Sequence, residues 1–277
     1  MTRPDPTVAV DVQIVQDGRA QSVPDTLAAE APLEIQLAAG GEEAVLAVTL
    51  RTPGSDEELA TGLLYAEGVI GGAEDIAAVR RPAGLDGAPL PHRILVELAA
   101  AELPDLAASA RHGFATAACG LCGKTSLEAL DLARVVELSS GPALRGAVIA
   151  GLPAAMQRAQ TTFAATGGLH AAALFTPDGE LLALREDVGR HNALDKLIGW
   201  ALHQRRLPLA EALILLSGRA GYELVAKALM AGCPVLAAVS APSSFAVATA
   251  RAHGMTLIGF LRQGRFNVYS GPERLGL

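Results

Sequence analysis

Residues 212–239, ALILLSGRAGYELVAKALMAGCPVLAAV, decide the fold class of this 277-residue chain. Two short and continuously apolar runs, 212–216 and 234–239, flank a segment with helical spacing at 222–231. Strands this apolar are covered on both faces, which is typical of the buried sheet of an α/β protein. The stretch therefore predicts a strand, a helix and a second strand at the centre of a layered α/β structure.

The same alternation continues on both sides of this unit. A helix is predicted over 192–204 before the first strand, and a helix over 244–253 with a strand over 256–260 after the second. Upstream, apolar runs on either side of the turn TPDG at 176–179 predict a β-hairpin. We predict a three-layer αβα sandwich over residues 161–277.

The first part of the chain has a different pattern. Four segments with strand character, interrupted by a helix that Ser55 is predicted to cap and that runs to Gly68, predict a smaller α+β domain over residues 1–118. Residues 119–160 then form a connecting segment with a helix over about 142–160. The predicted strands cover 8–15, 33–37, 44–51 and 92–98.

Charge and composition exclude several classes of protein. The net charge is −7. It combines 6 basic and 16 acidic residues in 1–100, a balance of −10, with 16 and 13 in 101–277, a balance of +3. Aromatic residues make up only 4% of the chain, which argues against a nucleic-acid surface. The absence of a long apolar run or a signal peptide predicts a cytoplasmic protein that does not enter the membrane.

Polar motifs follow three predicted strands of the C-terminal domain. Ser217 and Arg219 follow the first, Ser240 and Ser243 the second, and residues 262–265 the third. Because ligands of such sheets bind beyond the carboxyl ends of the strands, hydroxyls and arginines there predict a site for phosphate or pyrophosphate. The alternative is that the serines cap helices and the arginines are solvated.

Cys119 and Cys122 form the sequence CGLC and are two of only three cysteines. A helical pattern follows at once, and a helix N-terminus with Lys124 nearby favours the reactive thiolate. A metal site is an alternative, although CxxC supplies half of a tetrahedral ligand set and no histidine pair completes it, so we predict no metal. A thioredoxin-like dithiol and a pair of buried apolar residues also remain open. Cys233 precedes an apolar strand and is predicted to be a core residue.

Residues 185–196, REDVGRHNALDK, are the densest polar run of the chain. Arg190 and His191 just before a helix could face a substrate. Asn192 and Asp195 are interpreted as residues that cap and decorate the same helix.

Several of these motifs together resemble the formate dehydrogenase accessory sulfurtransferases, over roughly residues 30 to 271. The resemblance rests above all on the long run 185–196. It also includes APLEI at 31–35, RTPG at 51–54, CGLCG at 119–123, TGGLHAA at 166–172, SAPSS at 240–244 and GFLRQGRFNVY at 259–269.

The resemblance implies a sulfur carrier that receives sulfur as a persulfide from a cysteine desulfurase. It implies transfer of that sulfur to the molybdenum bis-guanine-dinucleotide cofactor before the cofactor enters formate dehydrogenase. The persulfide position of the family matches Cys119, with Cys122 as its companion. The cofactor-binding segment matches Phe260, Leu261, Arg262, Gln263, Gly264 and Arg265.

The resemblance also implies a homodimer and a C-terminal domain similar to the cytidine deaminase fold. Deamination itself is not expected, because the zinc signature of H-x-E followed by P-C-x-x-C is missing and His170 is followed by two alanines. The alternative to a sulfurtransferase is a chaperone that binds the cofactor without sulfur chemistry. The sulfurtransferase and the chaperone hypotheses both predict a guanine nucleotide ligand.

Overall fold

The computed structural model describes residues 5–105, 138 and 140–277. The elements of the N-terminal part are β1 Thr7–Gln16, β2 Arg19–Ala28, β3 Ala31–Ala39, β4 Glu42–Arg51, α1 Asp56–Ala66, β5 Ile76–Arg80 and β6 Arg93–Leu98. Strands β1 and β2 form an antiparallel ribbon, and the other four form a sheet with the order β4-β3-β6-β5. A 3₁₀ turn over Ala73–Asp75 leads into β5.

The C-terminal part is built on a six-stranded sheet. Its strands are β7 His170–Phe175, β8 Leu181–Asp187, β9 Leu213–Leu216, β10 Val235–Ala238, β11 Thr256–Arg262 and β12 Arg265–Ser270. Their order in the sheet is β12-β11-β10-β9-β7-β8. Strands β9, β10 and β11 run parallel, and the others pair antiparallel with their neighbours. The helices are α2 Gly146–Ala159, α3 Thr161–Thr166, α4 Arg190–His203, α5 Tyr222–Met230 and α6 Ser244–Ala252, followed by a 3₁₀ turn over Pro272–Leu275.

Helices cover both faces of this sheet. Leu213 and Leu215 of β9 belong to a core cluster that includes Leu152 of α2. Ile214 and Leu216 alternate with them and belong to a second cluster, which holds buried apolar residues of α4, α5 and α6. Since successive strand residues point to opposite faces, an entirely apolar strand needs a cover on each side. The predicted α/β fold is confirmed, and its likeness to the cytidine deaminase fold stays a prediction.

Two glycines let α1 of the N-terminal part cross α4 of the C-terminal part at close range. A Cβ atom on Gly62 would lie 1.8 Å from the carbonyl oxygen of Asp195, and one on Gly199 would lie 1.9 Å from that of Glu58. The backbones therefore touch, and one buried cluster runs from β3 and β6 through α1 into α4. The division of the chain at 118 and 160 stays a prediction.

Some local predictions are wrong. The apolar pattern misses β2, β5 and β12, because a ribbon strand or an edge strand buries few side chains. Ser55 precedes α1 but does not cap it, because its side chain makes no hydrogen bond to the helix. Its φ of 53° lies in the left-handed region, whereas a capping serine has an extended backbone. The helix predicted over 142–160 begins at Gly146, and α3 follows it. None of the helices in the described part of the chain is long and apolar enough to cross a membrane.

Candidate functional site

The carboxyl ends of β9, β10 and β11 lie along one side of the six-stranded sheet, because these three strands are parallel. The N-termini of α5 and α6 lie there too, since each helix follows one of these strands after a short loop. Helix N-termini carry a partial positive charge. We call this region the strand-end edge and define it by residues 217–219, 240–245 and 260–265.

Backbone hydrogen bonds join the three loops of the strand-end edge. The amide of Ser240 donates to the carbonyl of Gly218 at 3.2 Å, and the amide of Phe260 donates to the carbonyl of Ser240 at 3.1 Å. The amide of Ser243 donates to the carbonyl of Ala220 at 3.0 Å. The structure therefore brings together the loops that the sequence marks as an anion site, and their binding of a ligand stays a prediction.

Two of the predicted serines also have structural partners. The hydroxyl of Ser217 accepts a hydrogen bond from the amide of Ala171 at 2.8 Å, which joins β7 to the end of β9. The hydroxyl of Ser243 accepts one from the amide of Ala246 at 3.2 Å and caps α6. A hydroxyl group can donate while it accepts, so both serines can still donate to a ligand.

The segment from Phe260 to Arg265 forms the turn between β11 and β12. Arg262 and Arg265 are paired across the turn, and Gln263 and Gly264 between them have φ values of 54° and 73°. Two central residues with positive φ are typical of a tight type I′ hairpin turn. Phe260 also has a positive φ, at 51°, and a non-glycine residue in this region is uncommon. Such backbone conformations are enriched at binding sites.

The side chains of this turn divide between the core and a cleft. Leu261 is fully buried in the core cluster of the sheet, and its predicted contact with a cofactor stays a prediction. The guanidinium of Arg262 lies 5.9 Å from the centre of the Phe260 ring. The cleft has a volume of about 620 Å³ and is lined by Phe260, Arg262, Gln263, Arg265 and Asn267.

The arginines at this edge are exposed cations. Arg219, Arg262 and Arg265 are all exposed, and they take part in none of the ion pairs between described residues. The strand-end edge therefore presents positive charge to solvent, as an anionic ligand requires.

His170 lies beside the strand-end edge and is a further polar residue that the sequence patterns do not predict as part of the site. It begins β7, which is antiparallel to β9, and its Nδ1 lies 3.4 Å from the position that a Cβ atom on Gly218 would occupy. Burial and the nearby charge of Arg190 lower the pKa of His170, against the opposing effect of Asp187. The β-hairpin predicted around residues 176–179 could have indicated this position. Because β7 runs antiparallel to β9, its first residue, His170, lies beside the carboxyl end of β9.

The run 185–196 has a structural role in the interior. The Oδ2 atom of Asp187 lies 2.7 Å from Nζ of Lys196 and accepts a hydrogen bond from the amide of Thr52 at 3.1 Å. Lys196 Nζ also donates to the carbonyl of Thr52 at 2.8 Å. The amide group of Asn192 donates to the carbonyl of Leu50 at 2.8 Å. These contacts tie the end of β4 to α4 across the two parts of the chain.

A second buried ion pair extends this arrangement. Nζ of Lys227 lies 2.7 Å from Oδ1 of Asp195 and 3.6 Å from Oε1 of Glu67. The interpretation of Asn192 and Asp195 as a cap and a surface residue is wrong, because both are buried. Asn192 bonds the end of β4, Asp195 pairs with Lys227, and Gly189 takes the N-cap position of α4. We call these residues the helix seam and define it as Asp187, Asp195, Lys196 and Lys227.

His191 lies between the seam and the edge. Its Nε2 is 3.3 Å from Oε2 of Glu223 on α5, and both side chains are largely buried. A role for Arg190 or His191 toward a substrate stays a prediction.

Of the three cysteines, the structure describes only Cys233. Cys119 and Cys122 lie outside the described residues. Cys233 is fully buried, as predicted for a core residue, and burial raises the pKa of its thiol to about 12.

Among the described residues, no group of three or more His, Cys, Asp and Glu side chains could hold a metal ion. The prediction that the whole chain has no metal site is untested.

Known proteins are similar to this chain over most of its length. A solved structure of a formate dehydrogenase accessory protein from Desulfotalea psychrophila matches with a TM-score of 0.74 at 25% identity, covering 98% of this chain and 100% of that one. A protein named sulfur carrier protein FdhD from Mycolicibacterium paratuberculosis is 50% identical over 263 residues, covering 94% of this chain and 95% of that protein.

Two further proteins with the same name extend the comparison. The one from Nocardia farcinica is 52% identical and covers 91% of this chain and 88% of its own length. The one from Sulfolobus acidocaldarius is 41% identical and covers 97% and 98%. The model of the FdhD/NarQ family matches residues 28–276. The chain therefore belongs to the FdhD/NarQ family.

Proposed function

We propose that this protein is a sulfurtransferase that carries sulfur for the maturation of formate dehydrogenase. Cys119 accepts the sulfur as a persulfide from a cysteine desulfurase. The sulfur then passes to the molybdenum bis-guanine-dinucleotide cofactor before that cofactor enters formate dehydrogenase. Membership of the FdhD/NarQ family and the names of the relatives support this proposal.

One observation in the structure supports the cofactor part of the proposal above all others. The strand-end edge collects three exposed arginines, four serine hydroxyls and two helix N-termini on one side of the sheet. Arginine pairs with phosphate through charge-assisted hydrogen bonds, and helix N-termini favour anions. Two pyrophosphate groups, as in a bis-guanine dinucleotide, match this chemistry.

The sulfur chemistry belongs to Cys119 and Cys122. The Cys119 thiolate attacks the terminal sulfur of the desulfurase persulfide, a new S–S bond forms, and the donor cysteine leaves with the electron pair of the broken bond. In delivery, the Cys122 thiolate attacks the Cys119 sulfur, and the terminal sulfur leaves as sulfide to the cofactor. The resulting Cys119–Cys122 disulfide returns to the dithiol by exchange with a cellular dithiol reductant.

Mass spectrometry of the intact protein tests the sulfur chemistry. The protein is incubated with a cysteine desulfurase and cysteine, and the wild type is compared with Cys119→Ala, Cys122→Ala and the control Cys233→Ala. We expect a sulfur adduct that reduction removes, that Cys119→Ala lacks and that Cys233→Ala retains. A wild type without an adduct would instead favour a chaperone that binds the cofactor and carries no sulfur.

A binding measurement tests the nucleotide part separately. We expect GDP to bind the wild type, with an affinity that falls as ionic strength rises because exposed arginines meet the phosphates. A homodimer and a cytoplasmic location complete the proposal, and light scattering of the purified protein tests the dimer.

A further inference from the structure

An exposed aromatic ring lies at the strand-end edge. Phe245 is 49% exposed, and it is the only aromatic residue among the large apolar side chains that are exposed in the described part of the chain. Its ring stacks on Tyr222, with 4.4 Å between the ring centres and an angle of 22° between the planes. One ring face is therefore held by the protein while much of the residue remains open to solvent.

The fold places this ring at the helix N-termini of the strand-end edge, beside Ser243 and Ser244. Tyr222 begins α5 and Phe245 is the second residue of α6, so both lie at the helix N-termini of the edge. The preceding loops are joined by a bridge between Ala220 and Pro242 and by the hydrogen bond from the amide of Ser243 to Ala220. Arg219 thus lies one residue from this junction.

The ring is also fixed in its position. Tyr222 beneath it is 7% exposed, and the cap by Ser243 holds the first turn of α6. Ala246 and Ala250 of α6 are fully buried, which anchors the helix against the core. A ring supported in this way binds a flat partner without the loss of freedom that a mobile side chain would suffer.

We propose that Phe245 is the stacking platform for the purine ring of the nucleotide, whose phosphates are bound by the arginines of the edge. Aromatic side chains stack on nucleobases through the ring face, and this contact needs no hydrogen bond to the base. The inference rests on the proposed function, because it names the residue that holds the base of that same ligand.

Calorimetric titration with GDP tests the platform. We expect Phe245→Ala to weaken GDP binding by about 5- to 140-fold, the range measured when a stacking aromatic is removed. Phe245→Trp should retain the affinity because it keeps a ring, whereas Phe245→Leu should lose it although it keeps apolar bulk. Binding of inorganic pyrophosphate should be the same in all variants, since it has no ring.

The matched control is Val45→Ala, which shortens an apolar side chain that is 51% exposed on β4. It should leave GDP binding unchanged.

Equal GDP affinity in the wild type, Phe245→Ala and Phe245→Leu would overturn the role of Phe245 as a platform, but it would not contradict the nucleotide site. A wild type that does not bind GDP would overturn the nucleotide part of the proposed function together with the platform. A thermal melt of each variant shows whether the fold is intact.

Discussion

The helix seam and the strand-end edge both concentrate charged side chains, but they use them in opposite ways. At the seam, Asp187 and Lys196 are buried and paired at 2.7 Å. At the edge, Arg219, Arg262 and Arg265 are exposed and lie among hydroxyls and helix N-termini. Buried charges must find partners within the protein, whereas exposed charges remain available to a ligand. The densest polar motif of the sequence therefore serves the fold.

Breaking a seam pair should give the largest effect. In Lys196→Met the carboxylate of Asp187 keeps its buried position and loses its ion-pair partner, so we expect the free energy of unfolding to fall by about 3–5 kcal/mol. Urea unfolding measures this change. Arg262→Met at the edge removes the same charge from an exposed position and should change stability by less than about 0.5 kcal/mol. Similar losses in the two variants would contradict the distinction between seam and edge.

The contact between α1 and α4 that shields the seam can be tested with two glycines. Gly199→Ala places a methyl group 1.9 Å from the carbonyl oxygen of Glu58, and we expect a loss of about 1–3 kcal/mol as the helices separate. Gly151→Ala on α2 meets no atom within 4 Å and should gain about 0.5–1 kcal/mol from helix propensity. Thermal unfolding of both variants compares them, and a stabilised Gly199→Ala would show that the helices do not pack this closely.

At the edge, loss of charge should affect binding and leave stability unchanged. Arg262→Gln and Arg265→Gln should each weaken GDP binding about fivefold at low salt, since one exposed charge pair contributes about 1 kcal/mol. The control Arg80→Gln removes a cation from β5, where Arg80 pairs with Glu97 at 2.6 Å. If Arg80→Gln weakened binding as much, the effect would come from the net charge of the protein and not from this edge.

The sequence predicts the edge better than the seam, for a physical reason. Continuous apolar runs at 212–216 and 234–239 predict two buried strands. Because these strands are parallel, the loops that contain Ser217 and Ser240 lie at the same end of the sheet. This inference needs only local patterns and the geometry of a sheet. The seam depends on α1 covering α4, a contact between residues more than a hundred positions apart in the chain.

Burial by a distant helix leaves a weak signal in a single sequence. Asn192 and Asp195 look like surface residues of a helix because polar side chains are usually exposed. The available hints were Gly62 and Gly199, each in a helix where glycine is unfavourable, which indicates a close approach of another backbone. Edge strands such as β12 are missed for a similar reason, since they bury few side chains.

The smallest effect on stability should come from substitution of Ser243, which is predicted both to cap α6 and to contact the ligand. Ser243→Ala removes the acceptor for the amide of Ala246, and we expect a loss of about 1 kcal/mol in thermal unfolding. Ser243→Asn should restore the stability, because asparagine is a good cap, while Ser244→Ala should change it little. If Ser243→Ala were as stable as the wild type, α6 would not need its cap. The rigid support of Phe245 would then have to come from Tyr222 and the buried alanines alone.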